Sequence, residues 1–128
     1  MNKFELKTIE YRNKEERIEN IKYSPVYSID EKTVGVMRAN SKTSSGKFAG
    51  ILVGVEYMGD GIEQGVVIVS GDIVNDKWNW VTDEMIFINA YDDGLTQNPR
   101  ATFAFIQPIG KAISPTKIRL NPLSAWRL

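Results

Sequence analysis

The sequence predicts an all-β fold, a small barrel or sandwich of about seven to nine short strands with a short N-terminal arm. Apolar segments of strand length follow one another closely from Val26 to Leu120, and turn residues separate them. Glycines recur within or beside these segments. The 128 residues are enough for one hydrophobic core. We therefore expect an arm over residues 1–23 and one β-barrel domain over residues 24–128.

The arm differs in composition from the rest of the chain. Its first apolar residues nearly alternate with charged or polar ones, which predicts a short strand with one buried face. Asn13 and Glu16 have capping-box spacing, so one short helix can follow, and it must end before Pro25.

The arm is also too polar to form a core of its own. Its apolar residues therefore need a partner surface, which we expect on a neighbouring subunit or on a larger particle. On this interpretation, deletion of residues 1–23 would leave the barrel folded. The predicted interface residues of the arm are Phe4, Leu6, Ile9, Ile18 and Ile21.

The strands of the barrel domain are predicted from their apolar and β-branched residues and from the turns between them. The longest apolar runs lie before and after the turn at residues 58–65, and they indicate two core strands. The predicted strands cover residues 26–29, 33–38, 48–57, 66–74, 85–91, 102–107, 109–113 and 116–120.

Five glycines lie in or beside these strands, at Gly50, Gly54, Gly65, Gly71 and Gly110. Glycine weakens the packing of a strand, but it permits bulges and the sharp corners of a closed sheet. Their recurrence favours a small closed barrel over a flat sheet.

Charge and composition argue against several classes of function. Sixteen basic and sixteen acidic residues balance, so no net field favours nucleic acid or a membrane surface. The chain contains neither histidine nor cysteine, which removes the commonest general base and the thiolate nucleophile. We expect no enzyme, no cofactor and no metal site.

Two local motifs invite a chemical interpretation, and each has a simpler one. The segment from Ser41 to Phe48 ends in Gly-Lys as a phosphate-binding loop does, but it lacks the required first glycine and the hydroxyl after the lysine. The acidic pairs Asp83-Glu84 and Asp92-Asp93 could serve a glycosidase or bind calcium. Both pairs lie at turns, where aspartate is common because its side chain bonds nearby backbone groups.

The tryptophans are the most informative side chains outside the strands. Trp78 and Trp80 share one face if their segment is extended, and they form either a stacking or docking platform or a cap on the core. Trp126 follows the last long strand near the chain end, which favours a contact with the barrel wall or with a neighbour. All three are candidate interface or binding residues.

Two glycine-led apolar strands, Phe48 to Val55 and Gly65 to Val74, resemble those of phage head-fibre and capsid-decoration β-barrel modules. There the second strand has the pattern G-x-V-x-V-x-G. The later segments Gly94 to Pro99, Phe105 to Ser114 and Thr116 to Pro122 are similar to the close of the same modules. The resemblance covers roughly residues 26 to 122.

The resemblance implies a structural component of a phage virion, either a capsid decoration, a head-fibre module or a short fibre or tail adaptor. It implies assembly in the host cytoplasm, a homotrimer, contacts with a capsid or fibre protein, and no catalytic residues. An alternative is a carbohydrate- or receptor-binding domain of a viral or bacterial surface protein that uses Trp78, Trp80 and neighbouring tyrosines as a stacking surface. A third interpretation is a small hydrolase, but the spacing of the polar residues indicates no set of catalytic residues for it.

Overall fold

The computed structural model describes residues 2–10, 21–57, 63–91, 94–121 and 126–127. The all-β prediction is confirmed, because strands dominate and the described part contains almost no helix, with one 3-10 turn at Lys42–Ser44. The strands are β1 (Lys3–Glu10), β2 (Pro25–Ser28), β3 (Thr33–Val36), β4 (Phe48–Tyr57), β5 (Glu63–Val74), β6 (Met85–Ile88), β7 (Leu95–Thr96), β8 (Phe105–Ile106), β9 (Pro108–Ser114), β10 (Lys117–Leu120) and β11 (Trp126–Arg127).

The first five strands close into a ring in the order β1, β3, β2, β4, β5. β1 closes it, because β1 pairs parallel with β3 on one side and antiparallel with β5 on the other. The remaining neighbours in the ring are antiparallel. The interior of this barrel holds an aliphatic core, formed by Ile9, Ile21, Val26, Val34, Val36, Leu52 and Val67.

A second antiparallel sheet continues from the far half of β5. There Lys117–Leu120 of β10 pair with residues 71–74, and β9, β6 and β7 follow in order. A larger core includes the buried residues of this sheet together with Met37 and Ile51 from the barrel. The two short strands β8 and β11 form a separate pair.

The barrel wall has apolar residues on both faces. Ile51 and Leu52 are adjacent and fully buried, but Ile51 belongs to the larger core and Leu52 to the barrel interior. Val67 and Ile68 divide in the same way on β5, with Ile68 packed against the larger core. Because successive side chains of a strand point to opposite faces, a wall between two cores needs the continuous apolar runs seen in β4 and β5.

Gly71 lies where β5 passes from the barrel into the second sheet. Its φ of +106° lies in a region that residues with side chains rarely adopt, and a Cβ there would meet Asn2. The amide of Asn2 instead bonds the next residue: Nδ2 donates to the Asp72 carbonyl at 2.7 Å, and the Asp72 N–H donates to Oδ1 at 2.8 Å. The bare backbone at Gly71 thus allows the start of β1 to lie against β5.

The predicted boundary between arm and barrel at residue 24 does not coincide with a structural boundary. β1 is a strand of the ring, and Ile9 and Ile21, only 7% and 3% exposed, lie in the barrel interior. These two residues are therefore core residues and are not available to a partner. The sequence could not show this, because the partners of β1 lie more than twenty residues away along the chain.

Two further predicted elements are a helix in the arm and a strand over residues 102–107. The helix expected after Asn13 falls mainly in residues 11–20, which lie outside the described part. The strand expected over residues 102–107 contracts to Phe105–Ile106, because the Phe103 N–H closes a turn onto the Arg100 carbonyl at 2.9 Å.

The role of β1 in the barrel can be tested with one buried and one exposed residue. We expect Ile9→Ala to lower the free energy of unfolding by about 2–4 kcal/mol, because it opens a cavity in the barrel core. Leu6→Ala on the same strand should cost less than about 1 kcal/mol, since Leu6 is exposed. Urea denaturation followed by circular dichroism measures both, and equal losses would contradict this placement of β1.

Candidate functional site

The first half of β1 carries large apolar side chains on the outer face of the barrel. Phe4 is 63% exposed and Leu6 is 39% exposed. Directly across the β1–β5 pair, Phe4 lies opposite Ile68 and Leu6 opposite Val66, and both of these are half-buried. We call these four residues the β1 strip. The β1 strip therefore extends the apolar outer face of the barrel into a region that is exposed to solvent.

The opposite face of β1 carries alternating charges at Lys3, Glu5 and Lys7. The Lys7 ammonium donates to the Glu31 carbonyl at 2.6 Å and lies 3.8 Å from Glu5 Oε1. Lys7 is therefore occupied within the chain. Glu5 keeps nearly half of its side chain exposed.

β1 also has a strand edge with backbone groups that face away from β5. β3 pairs with Thr8, Ile9 and Glu10, and the Thr8 N–H donates across this side to the Lys32 carbonyl at 2.8 Å. Within the described residues, no strand pairs with Lys3–Lys7 on this side. We call this stretch the free edge of β1. An unpaired edge beside exposed apolar side chains can accept another strand.

The tryptophans of the sequence prediction form part of a second surface. Trp78 and Trp80 lie 5.7 Å apart between ring centroids, and Tyr23 meets Trp78 edge-on at 5.5 Å. We call these three residues the aromatic cluster. All three are half-buried and pack against the larger core. They therefore cap the core and also present part of their surface outward.

Backbone and side-chain bonds fix the tryptophan segment. The Trp80 N–H donates to the Pro115 carbonyl at 2.9 Å, and the Gln97 amide makes two 2.8 Å bonds with the backbone of Val81. The indole Nε1 of Trp80 is buried without a hydrogen-bond partner within the described part of the chain. A buried donor of this kind loses its bond to water and gains none in return.

A groove of about 510 Å³ lies beside the cluster. Tyr23 and Val74 give it apolar surface, and Val74 is 49% exposed. The charged and polar lining comes from Lys22, Asn75, Asp76 and Lys77. The sequence predicts tyrosines beside Trp78 and Trp80 but does not identify Tyr23 or Lys22, because Tyr23 meets Trp78 only through the fold.

The remaining predicted residues are less informative. Trp126 lies in β11 opposite Ile106, but its side chain is outside the described part, as is all of Ile18. Asp83 and Glu84 are exposed beside β9, where the Asp83 N–H donates to the Ala112 carbonyl at 2.8 Å. Asp92 and Asp93 are not described. The residues named as candidate interface thus remain predictions, apart from Ile9 and Ile21, which are core.

An ion pair joins β5 to β10 near the crossing point at Gly71. Arg119 donates from Nε to Asp72 Oδ1 at 2.8 Å and from Nη2 to Oδ2 at 3.2 Å. These bonds hold the pKa of the Asp72 carboxyl below its usual range and raise the pKa of Arg119. Both side chains are partly exposed, so water weakens the pair.

Groups of three or more acidic, histidine or cysteine side chains that could hold a metal ion are absent from the described residues. In the same residues, no helix is long and apolar enough to span a membrane. Comparison of the chain with protein-family models, with curated proteins and with solved structures finds no match.

The Asp72–Arg119 pair predicts a pH-dependent part of the stability. Because the pKa of Asp72 is lowered on folding, its contribution is present above the unfolded-state pKa of about 3.9 and is lost as the pH falls through the folded-state value. Asp72→Asn should therefore lower the urea midpoint at pH 7, and the difference from the parent protein should shrink as the pH falls from 7 to about 2. A difference that is the same at both pH values would show that the charge is not involved.

Proposed function

We propose that this protein is a structural component of a phage virion, a decoration, head-fibre or adaptor module that acts through contacts with other subunits. The proposal combines the resemblance over roughly residues 26 to 122 with one structural observation. That observation is the β1 strip, where the side chains of Phe4 and Leu6 are exposed to solvent. Exposed apolar surface next to charged residues is typical of a protein–protein contact.

The physical argument is that the strip costs stability in the isolated chain. Phe4 exposes most of a large aromatic ring to water. The barrel interior instead takes Ile9 from the opposite face of β1. A partner that covers Phe4 and Leu6 would recover about 25 cal/mol for each Å² of apolar surface removed from water.

The test is incorporation into virus particles. In cultures that produce the protein with its virus, we expect the parent protein to co-purify with the particles. The double variant Phe4→Ser with Leu6→Ser should stay folded, because both residues are exposed, and should be lost from the particles. Mass spectrometry of gradient-purified particles measures the occupancy.

Ile29→Ser is the matched control. Ile29 is 38% exposed, like Leu6, but it lies after β2 and is not one of the four residues of the β1 strip. This variant should incorporate as the parent does. Absence of the parent protein from purified particles would contradict the proposed function, and equal loss of both variants would show that the β1 strip is not the contact. The homotrimer that the resemblance implies stays a prediction, which light scattering measures.

A second candidate is a carbohydrate- or receptor-binding domain, and the groove beside the aromatic cluster favours it. Tyr23 lines the groove next to the polar side chains of Asn75 and Asp76, and the Lys22 ammonium lies over its ring at 5.3 Å from the centroid. Sugars bind to such combinations, because their C–H faces pack on aromatic rings while their hydroxyls need hydrogen-bond partners. Tyr23 also has a φ of +68°, an unusual conformation for a residue with a bulky side chain.

A glycan array tests this second candidate. If the groove binds sugars, the parent protein should retain specific glycans, and Tyr23→Ala should reduce that binding at least about tenfold, a value typical of losing one aromatic contact. Tyr91→Ala is the control, because Tyr91 is an exposed tyrosine that packs against Phe103 instead. Glycan binding that survives Tyr23→Ala would exclude the groove, and an array without bound glycans would exclude carbohydrate binding.

A further inference from the structure

We propose that two copies of this chain pair through the free edge of β1, with antiparallel strands related by a twofold axis at Phe4. The proposed occupant of this edge is a second copy. The contact depends on β1 alone and does not require the virion function.

The direction of the backbone groups is the first argument. The Thr8 N–H points away from β5, toward β3. Because backbone groups alternate along a strand, those of Leu6 and Phe4 point to the same side. The bulge at this end of the pair does not disturb the alternation in β1, since the extra residue, Val69, lies on β5. Phe4 and Leu6 can thus bond to a strand that lies on this edge.

The start of the edge is also held in place. Asn2 is fixed by its two bonds to the backbone of Asp72, at 2.7 and 2.8 Å. The stretch from Asn2 to Leu6 is therefore presented as an extended strand before any partner arrives. A strand that is already ordered loses less conformational entropy on pairing than a flexible tail does.

Charge selects one register among three. With Phe4 opposite Phe4 of the second copy, Lys3 of each copy lies opposite Glu5 of the other. All paired residues then fall within residues 2–6. With Glu5 at the centre, Glu5 would face Glu5 and Lys3 would face Lys7, and both contacts repel. With Leu6 at the centre, Phe4 would need to pair with Thr8, which β3 already holds.

Lysines on a strand edge usually oppose pairing with another chain. Here the sequence Lys3-Phe4-Glu5 reverses that effect, because the carboxylate lies two residues from the lysine on the same face. A second copy then sets each lysine against a carboxylate. On the outer face, the same register places the two Phe4 rings against each other, which covers the most exposed part of the β1 strip.

This arrangement differs from the threefold assembly that the resemblance implies. An antiparallel strand can pair with its own copy only about a twofold axis, so a threefold axis cannot bring this edge against itself. The two assemblies have different masses in solution, twice or three times the mass of the chain.

These 128 residues contain no cysteine, so single cysteines report the register directly. Phe4→Cys should form a covalent dimer on mild oxidation, because directly opposed Cα atoms are about 5.5 Å apart, within disulfide range. Leu6→Cys is the control, since its two copies would lie about 13 Å apart, four residues along the strand. Dimers from Phe4→Cys alone support the register, and dimers from Leu6→Cys alone overturn it.

Charge reversal tests the same register without a crosslink. Glu5→Lys should weaken dimerisation roughly tenfold or more, because two attractive pairs become repulsive. Adding Lys3→Glu to this variant should restore dimerisation, since each pair is then reversed. Analytical ultracentrifugation over micromolar concentrations measures both variants, and circular dichroism confirms that each is folded.

A parent protein that sediments as a monomer or as a trimer, with no Phe4→Cys dimer on oxidation, would overturn the proposal. Failure of the double charge reversal to restore dimerisation would overturn the register. Neither result would bear on incorporation into particles, so the proposed function and this contact can fail separately.

Discussion

The fold depends on a barrel wall that buries apolar side chains on both of its faces. Ile51 and Leu52 are neighbours in sequence and fully buried, yet they belong to different cores. A cavity on either side of the wall would remove contacts from the same strand. The two cores are therefore coupled through β4 and β5, which link the barrel to the second sheet within the described residues.

The same constraint explains how the strands cross from one sheet to the other. β5 forms part of the barrel wall up to Gly71 and then enters the second sheet. The absence of a side chain at Gly71 lets Asn2 approach. Asp72 follows at once and bonds Asn2 through its backbone and Arg119 through its carboxylate. One short segment thus connects the start of β1, the barrel wall and the second sheet.

The candidate functional surfaces are the side chains and the groove that the two cores leave exposed to solvent. The β1 strip is apolar and lies beside a strand edge, which suits another protein chain. The groove at the aromatic cluster is polar on one side and aromatic on the other, which suits a small polar ligand. The two surfaces differ in chemistry, so a virion module and a glycan-binding domain make different demands on the same chain.

The sequence by itself determined the all-β class and the long strands of the wall, because alternating and continuous apolar runs are local patterns. The bounds of β4, Phe48–Tyr57, match the expected strand, and β1 lies where a short strand was expected in the arm. The tertiary structure alone decided that β1 completes the barrel and that Ile9 is core. It also decided that Tyr23 meets Trp78. These contacts join residues far apart in the chain, and their free energy depends on which surfaces remain to be covered once the other strands have paired.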